Sequence, residues 1–167
     1  MYNIDVTQNS KGRTNMNKIA SFTIDHNKLD AGIYISRIDG DITTYDLRTK
    51  KPYVDEVMDN ETCHTVEHMF ATFVRNGILK DKVIYFGPMG CQTGFYLLVR
   101  DAENSIVINE IKHILKAICD HDGEVFGNSQ IECGNCRTLD LEKAKNLCKE
   151  YLEKICDKTE KDLNYKV

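Results

Sequence analysis

No apolar run in this chain approaches the roughly 20 residues that a membrane span needs. The opening stretch, MYNIDVTQNSKGRTNMNK, lacks the apolar segment of a secretory leader. Neither sign of charge dominates. A formal net charge of −4 over 167 residues gives no footing for nucleic acid or an anionic membrane as partner. Repeats and low-complexity stretches are missing too. What remains is an ordinary soluble composition, expected in the cytoplasm, at a length that suits one domain burying about 70% of its unfolded surface. The seven cysteines (Cys63, Cys91, Cys119, Cys133, Cys136, Cys148 and Cys156) are odd in number and follow no export signal. They read as reduced thiols, not a disulfide framework.

Residues 1–18 are polar and without period, an N-terminal extension to a single domain expected over 19–167. IASFTIDH and GIYISRI read as strands, and Asp39-Gly40-Asp41 turns the second of them into ITTYDLR as a β-hairpin. Apolar spacing predicts a helix over Thr62–Asn76, strands at KVIYFG and FYLLVR, and helices over Glu103–Asp120 and Leu139–Cys156. Cys133 falls in a short irregular or strand segment. Strands and helices do not strictly alternate, so the fold class expected is α+β: a largely antiparallel sheet with helices packed on one face, and the other face open to a second subunit.

Within the first helix, ETCHTVEHMF sets His64 and His68 four residues apart, hence on one face, with Glu67 beside it. Two imidazoles one turn apart can share an ion while a carboxylate reaches its water or substrate. The same spacing also occurs in ordinary half-buried histidines. A catalytic site needs a third ligand, and Cys133 in QIECGNC offers a thiolate suited to Zn²⁺ or Fe²⁺ with a fourth position left open. Cys136 completes a C-x-x-C pair that would instead close a structural zinc site.

GPMGCQTG places Cys91 among glycines between two apolar strands. Nearby positive charge would hold it as a thiolate able to move protons; without that charge it is a small buried hydrophobe. Asp46 and Arg48 at the end of TTYDLR read as a solvated rim pair, unless Arg48 turns inward and supplies that charge. His26 is open between a core histidine and a site residue.

In this order SFTIDH, YDLR, HTVEH, GPMGCQTG and ECGN resemble the S-ribosylhomocysteine lyase family, known as LuxS, from about Ala20 to Tyr151. The resemblance implies one metal per subunit on His64, His68 and Cys133, with Fe²⁺ native and Zn²⁺ a substitute. It implies Cys91 and Glu67 as acid/base groups and Ser21, His26 and Arg48 lining the substrate pocket. It implies a homodimer with active sites at the interface, completed by the segment carrying Ser21 and His26. The implied reaction moves the ribose carbonyl of S-ribosylhomocysteine by proton transfers and eliminates homocysteine. The other product is 4,5-dihydroxy-2,3-pentanedione, precursor of the signal autoinducer 2. An HxxEH metallohydrolase or peptidase-like enzyme and a structural zinc-binding module are the alternatives. Family members often carry Asp-x-Ser before Pro-Met-Gly-Cys; this chain has Tyr85-Phe86-Gly87 there.

Overall fold

The computed structural model describes residues 16, 17, 19 and 22–165. Most of the N-terminal extension, and Ser21, lie outside the described residues. β1 (Gly32–Asp39) and β2 (Ile42–Arg48) form the expected hairpin, turned at Gly40, whose φ of 61° costs glycine nothing. α1 (Asn60–Asn76), β3 (Val83–Pro88), β4 (Gly94–Arg100), α2 (Asn104–Asp120) and α3 (Leu141–Ile155) follow. Two helix starts are set by capping side chains. Asp59 accepts from Thr62 N at 2.7 Å, which begins α1 slightly before the apolar period does, and Asp140 accepts from Lys143 N at 3.1 Å to begin α3.

The strands pair antiparallel in the order β1-β2-β4-β3. Along β4, Phe95, Leu97 and Val99 are buried while Tyr96 and Leu98 between them are half-buried, the alternation of a sheet with one core face. The three helices pack on that face, with Val66, Met69, Phe70 and Val74 of α1 at the centre of the core. Phe86 stacks between Phe70 and Phe95, with ring centroids 4.2 and 5.2 Å away, and so ties α1 to β3 and β4. Each ring buried this way contributes roughly 2–3 kcal/mol. The α+β expectation holds.

The opposite face carries Tyr34, Asp46, Arg48 and Tyr96, and the chain's end crosses it. Leu163 is buried and its carbonyl accepts from Ile35 N at 2.8 Å along the outer edge of β1, while Tyr165 stacks on Tyr34 with centroids 4.8 Å apart.

One expected strand does not form. Residues 22–27 are irregular, because Asp25 turns the chain locally: its carboxylate accepts from Asn27 N and Nδ2, both at 3.0 Å, and its carbonyl accepts from Lys28 N at 3.1 Å. Such local bonds compete with a ladder and win here over the β-propensity of SFTI. Phe22 is left 69% exposed.

Candidate active site

α1 sets His64 and His68 one turn apart, their rings edge to face with centroids 4.7 Å apart. The irregular loop after α2 brings Cys133 over them, and one donor atom from each of the three lies within 4.8 Å of the others. His64 Nε2 is 3.4 Å from Cys133 Sγ. Outer contacts orient these donors. His68 Nδ1 donates to the Phe126 carbonyl at 2.8 Å, which leaves its Nε2 lone pair for an ion. That contact needs Gly127: its φ is 69°, and a Cβ there would press on His68 Nδ1 at 3.1 Å. His64 Nδ1 pairs with Thr138 Oγ1 at 3.0 Å, and Asn135 N donates to Cys133 Sγ at 3.4 Å, which fixes the direction of the sulfur. Burial, with the His68 charge, pulls the His64 pKa below its ordinary value against the opposing pull of Glu67. A neutral ring is the ligating form. Two imidazoles and a thiolate fit Zn²⁺ or Fe²⁺ with a position to spare.

Cys136 stands outside this group of donors among the described residues. It begins a short 3₁₀ turn, Cys136–Thr138, whose Thr138 and not its cysteine meets His64. The geometry therefore favours an open site over a closed C-x-x-C one.

A second cluster forms where the β3–β4 turn meets the end of β2. Arg48 is only 3% exposed, and its Nη2 donates to Asp46 Oδ2 at 2.6 Å. The solvated rim expected of this pair is overturned: both side chains are buried, the Tyr165 hydroxyl donates to Asp46 Oδ2 at 2.9 Å, and Tyr34 and Tyr96 flank Asp46 as its partners on β1 and β4. Arg48 Nη1 donates to Thr93 Oγ1 at 2.5 Å and lies 3.8 Å from Cys91 Sγ. Because the Thr93 oxygen already accepts from Arg48, its own proton is free to point at Cys91 Sγ, 3.1 Å away. Burial pushes the Cys91 thiol up, but the Thr93 hydroxyl and backbone bonds and the Arg48 charge outweigh it, and the thiol sits below its ordinary 9.0. The turn is held by α1: Gln92, at φ 59°, donates from Nε2 to Asn60 Oδ1 at 2.8 Å, and its carbonyl accepts from Met58 N at 3.0 Å. The left-handed residue is thus Gln92 and not one of the glycines. Gly94 serves close approach instead, since a Cβ there would meet the Leu47 carbonyl oxygen at 2.6 Å.

Residues 19–162 match the family described as LuxS, S-ribosylhomocysteinase. Curated relatives named S-ribosylhomocysteine lyase agree: those of Desulfotalea psychrophila and Finegoldia magna are each 44% identical, and that of Borreliella burgdorferi 40%, covering 90% of this chain and 99% of theirs. The chain belongs to the LuxS family.

Of the residues that the LuxS resemblance singles out, the structure gathers His64, His68 and Cys133 in one group and Arg48 and Cys91 in another. Glu67 lies on α1 between the two histidines in sequence, and its charge acts on His64. His26 is half-buried, with Nδ1 donating to the Ile24 carbonyl at 3.0 Å, and its charge acts on Asp46 of its own chain. Thr93 was not singled out by sequence, although its place two residues from Cys91, just before β4, was the available signal. Tyr165 left no signal of that kind. No helix among the described residues is long and apolar enough to cross a membrane.

Proposed function

We propose that this chain cleaves S-ribosylhomocysteine to homocysteine and 4,5-dihydroxy-2,3-pentanedione, using one divalent ion held by His64, His68 and Cys133. Fe²⁺ is the native ion of this reading and Zn²⁺ its substitute. The observation that carries the reading is the pairing of three convergent donors with a separate thiol held by Arg48 and Thr93, in a chain of the LuxS family. A peptidase-like hydrolase would leave that thiol cradle without work, and a structural zinc module would leave both it and Glu67 idle.

When bound, the ion supplies Lewis-acid polarisation of the sugar oxygens. The chain's own groups move the protons. Cys91 Sγ, kept ready as a thiolate by Arg48 Nη1 and Thr93 Oγ1, takes a proton from carbon next to the carbonyl and returns it one position along the sugar. Glu67, on the α1 face beside His64, exchanges protons with the sugar hydroxyls and protonates where Cys91 does not reach. Repetition of this transfer brings the carbonyl adjacent to the carbon from which a proton must leave for the homocysteine thiolate to be expelled. Arg48, His26 and Ser21 line the substrate end of the pocket. The active unit is a homodimer, in which the exposed segment around Phe22 lies against the second subunit.

The test is thiol release from S-ribosylhomocysteine by protein purified without air, with metal measured on the same sample. Homocysteine release that tracks about one ion per chain supports the reading. Bound ion without release overturns it.

A further inference from the structure

Asp46 is a carboxylate 1% exposed on the sheet face away from the helices, and it is poorly supplied with donors. Its Oδ2 accepts from Arg48 Nη2 at 2.6 Å and from the Tyr165 hydroxyl at 2.9 Å; its Oδ1, like Arg48 Nε, has no partner among the described residues. Tyr165 therefore supplies one of the two hydrogen bonds that the structure shows on this buried anion. Its ring is placed for the task. Leu163 is buried, its carbonyl is bonded to Ile35 N at the edge of β1, and the Tyr165 ring stacks on Tyr34 with planes 17° apart.

The consequence runs through Arg48. With Nη2 fixed by Asp46, the planar guanidinium can aim Nη1 only at Thr93 Oγ1 and Cys91 Sγ, its observed partners. We propose that Tyr165 is a positioning residue for the reaction: its hydroxyl holds Asp46, Asp46 locks Arg48, and Arg48 holds the reactive sulfur of Cys91. A C-terminal strap, far from the turn in sequence, thus keeps the Cys91 thiol ready for proton transfer. This rests on the reading of Cys91 as an acid/base group.

Arg48 and Thr93 touch Cys91, and Asp46 with Tyr165 lies on the far side of Arg48; the other titratable groups whose charges act on this cluster are Cys63 of α1, Tyr96 of β4 and His26. Burial drives Asp46 toward its neutral form, and Arg48, Tyr165 and His26 oppose that. Removing the phenol hydroxyl weakens the lock, and the free Arg48 no longer favours the thiolate.

Tyr165→Phe keeps the ring and its stack and loses only the hydroxyl. Tyr34→Phe is the matched control, because the Tyr34 hydroxyl donates instead to the Asp30 carbonyl at 3.0 Å. The readout is the pH dependence of Cys91 alkylation by iodoacetamide, followed at its own peptide. In Tyr165→Phe the midpoint moves upward and the rate at neutral pH falls about threefold to tenfold, while Tyr34→Phe keeps the parent profile. A Tyr165→Phe midpoint that is unchanged or lower, or the same shift in both variants, overturns the proposal. Homocysteine release measured alongside separates the two ideas. A shifted alkylation profile in a protein whose parent form releases no homocysteine would defeat the proposed reaction and leave the positioning intact.

Discussion

Arg48 Nη1 and Cys91 Sγ lie 3.8 Å apart, bridged by Thr93 Oγ1, although Arg48 ends β2, Cys91 sits in the β3–β4 turn and Arg48 is 3% exposed. A guanidinium buried against a carboxylate on one side and a thiol on the other is unusual as a purely structural device. Desolvation of such a pair costs several kcal/mol that the attraction only partly offsets. On the proposed reading its use is to hold the Cys91 thiol below its ordinary value while the sulfur stays within reach of solvent. Selective labelling follows. Iodoacetamide near neutral pH should modify Cys91 well before Cys63, whose thiol burial pushes up to about 11, and before Cys148, which burial pushes higher still. Peptide mass mapping during a short exposure checks this, and equal labelling of the three would contradict the cradle.

Replacing Arg48 tests the pair itself. Arg48→Met leaves Asp46 buried beside only the Tyr165 hydroxyl, a change expected to destabilise the protein by about 3–5 kcal/mol. It also raises the Cys91 alkylation midpoint. Adding Asp46→Asn to the same chain removes the orphaned anion and should recover much of the stability while Cys91 stays slow. Urea melts with alkylation profiles on both variants check this; equal stability of the two would mean that Asp46 is not held by charge.

Much of this was legible because it is local. The β1–β2 hairpin, α1 with its histidines, and the strands flanking Cys91 follow from period and turn residues alone. What failed depended on distant chain, or on local bonds that propensity and spacing do not show. Arg48 looks like a surface residue until Tyr165, 119 positions from Asp46, is laid over the sheet. SFTIDH has strand propensity, but β1 takes the Leu163 carbonyl along its outer edge while Asp25 curls the segment into turns. The choice between an open and a closed metal site was undecidable from C-x-x-C spacing, because it turns on where a short 3₁₀ turn sends Cys136.

That choice is testable by metal content. Cys133→Ser should lose most of its bound ion, since one of three gathered donors is gone. Cys136→Ser should keep about one ion per chain and its homocysteine release. Elemental analysis after purification without air reads both, and loss of metal from Cys136→Ser would revive the closed site.

Acid stability should be tied to the start of α1. Asp59 caps the helix at Thr62 N, and its carboxylate also pairs with Lys143 at 2.7 Å; hydrogen bonds from Lys143 and Thr62 hold its pKa down to about 2. A carboxylate whose folded pKa lies below its unfolded one stabilises the fold above the unfolded value. That contribution is lost as pH falls through the folded value, here between 3.8 and about 2. Asp59 is 52% exposed, so the ion pair is screened and the cap is the larger part. Asp59→Ala should cost about 0.5–2 kcal/mol at neutral pH, and its stability deficit should shrink through that acid window. A deficit that stays constant down to pH 2 would remove Asp59 from the account.

The departure at Tyr85-Phe86-Gly87 is one coupled change and not two. Tyr85 and Gly87 share the sheet face away from the helices, opposite Leu98 and Tyr96 on β4, and a Cβ at Gly87 would run into the Tyr85 hydroxyl. The family's frequent serine cannot enter at Gly87 while the tyrosine ring lies there. Since that ring is 47% exposed, it can swing out at a cost on the order of 1 kcal/mol. Gly87→Ser should therefore destabilise the parent by about that much and do almost nothing in a Tyr85→Asp background, a coupling that a double-mutant cycle in urea isolates. Additive effects of the two substitutions would mean that Tyr85 leaves Gly87 free in solution.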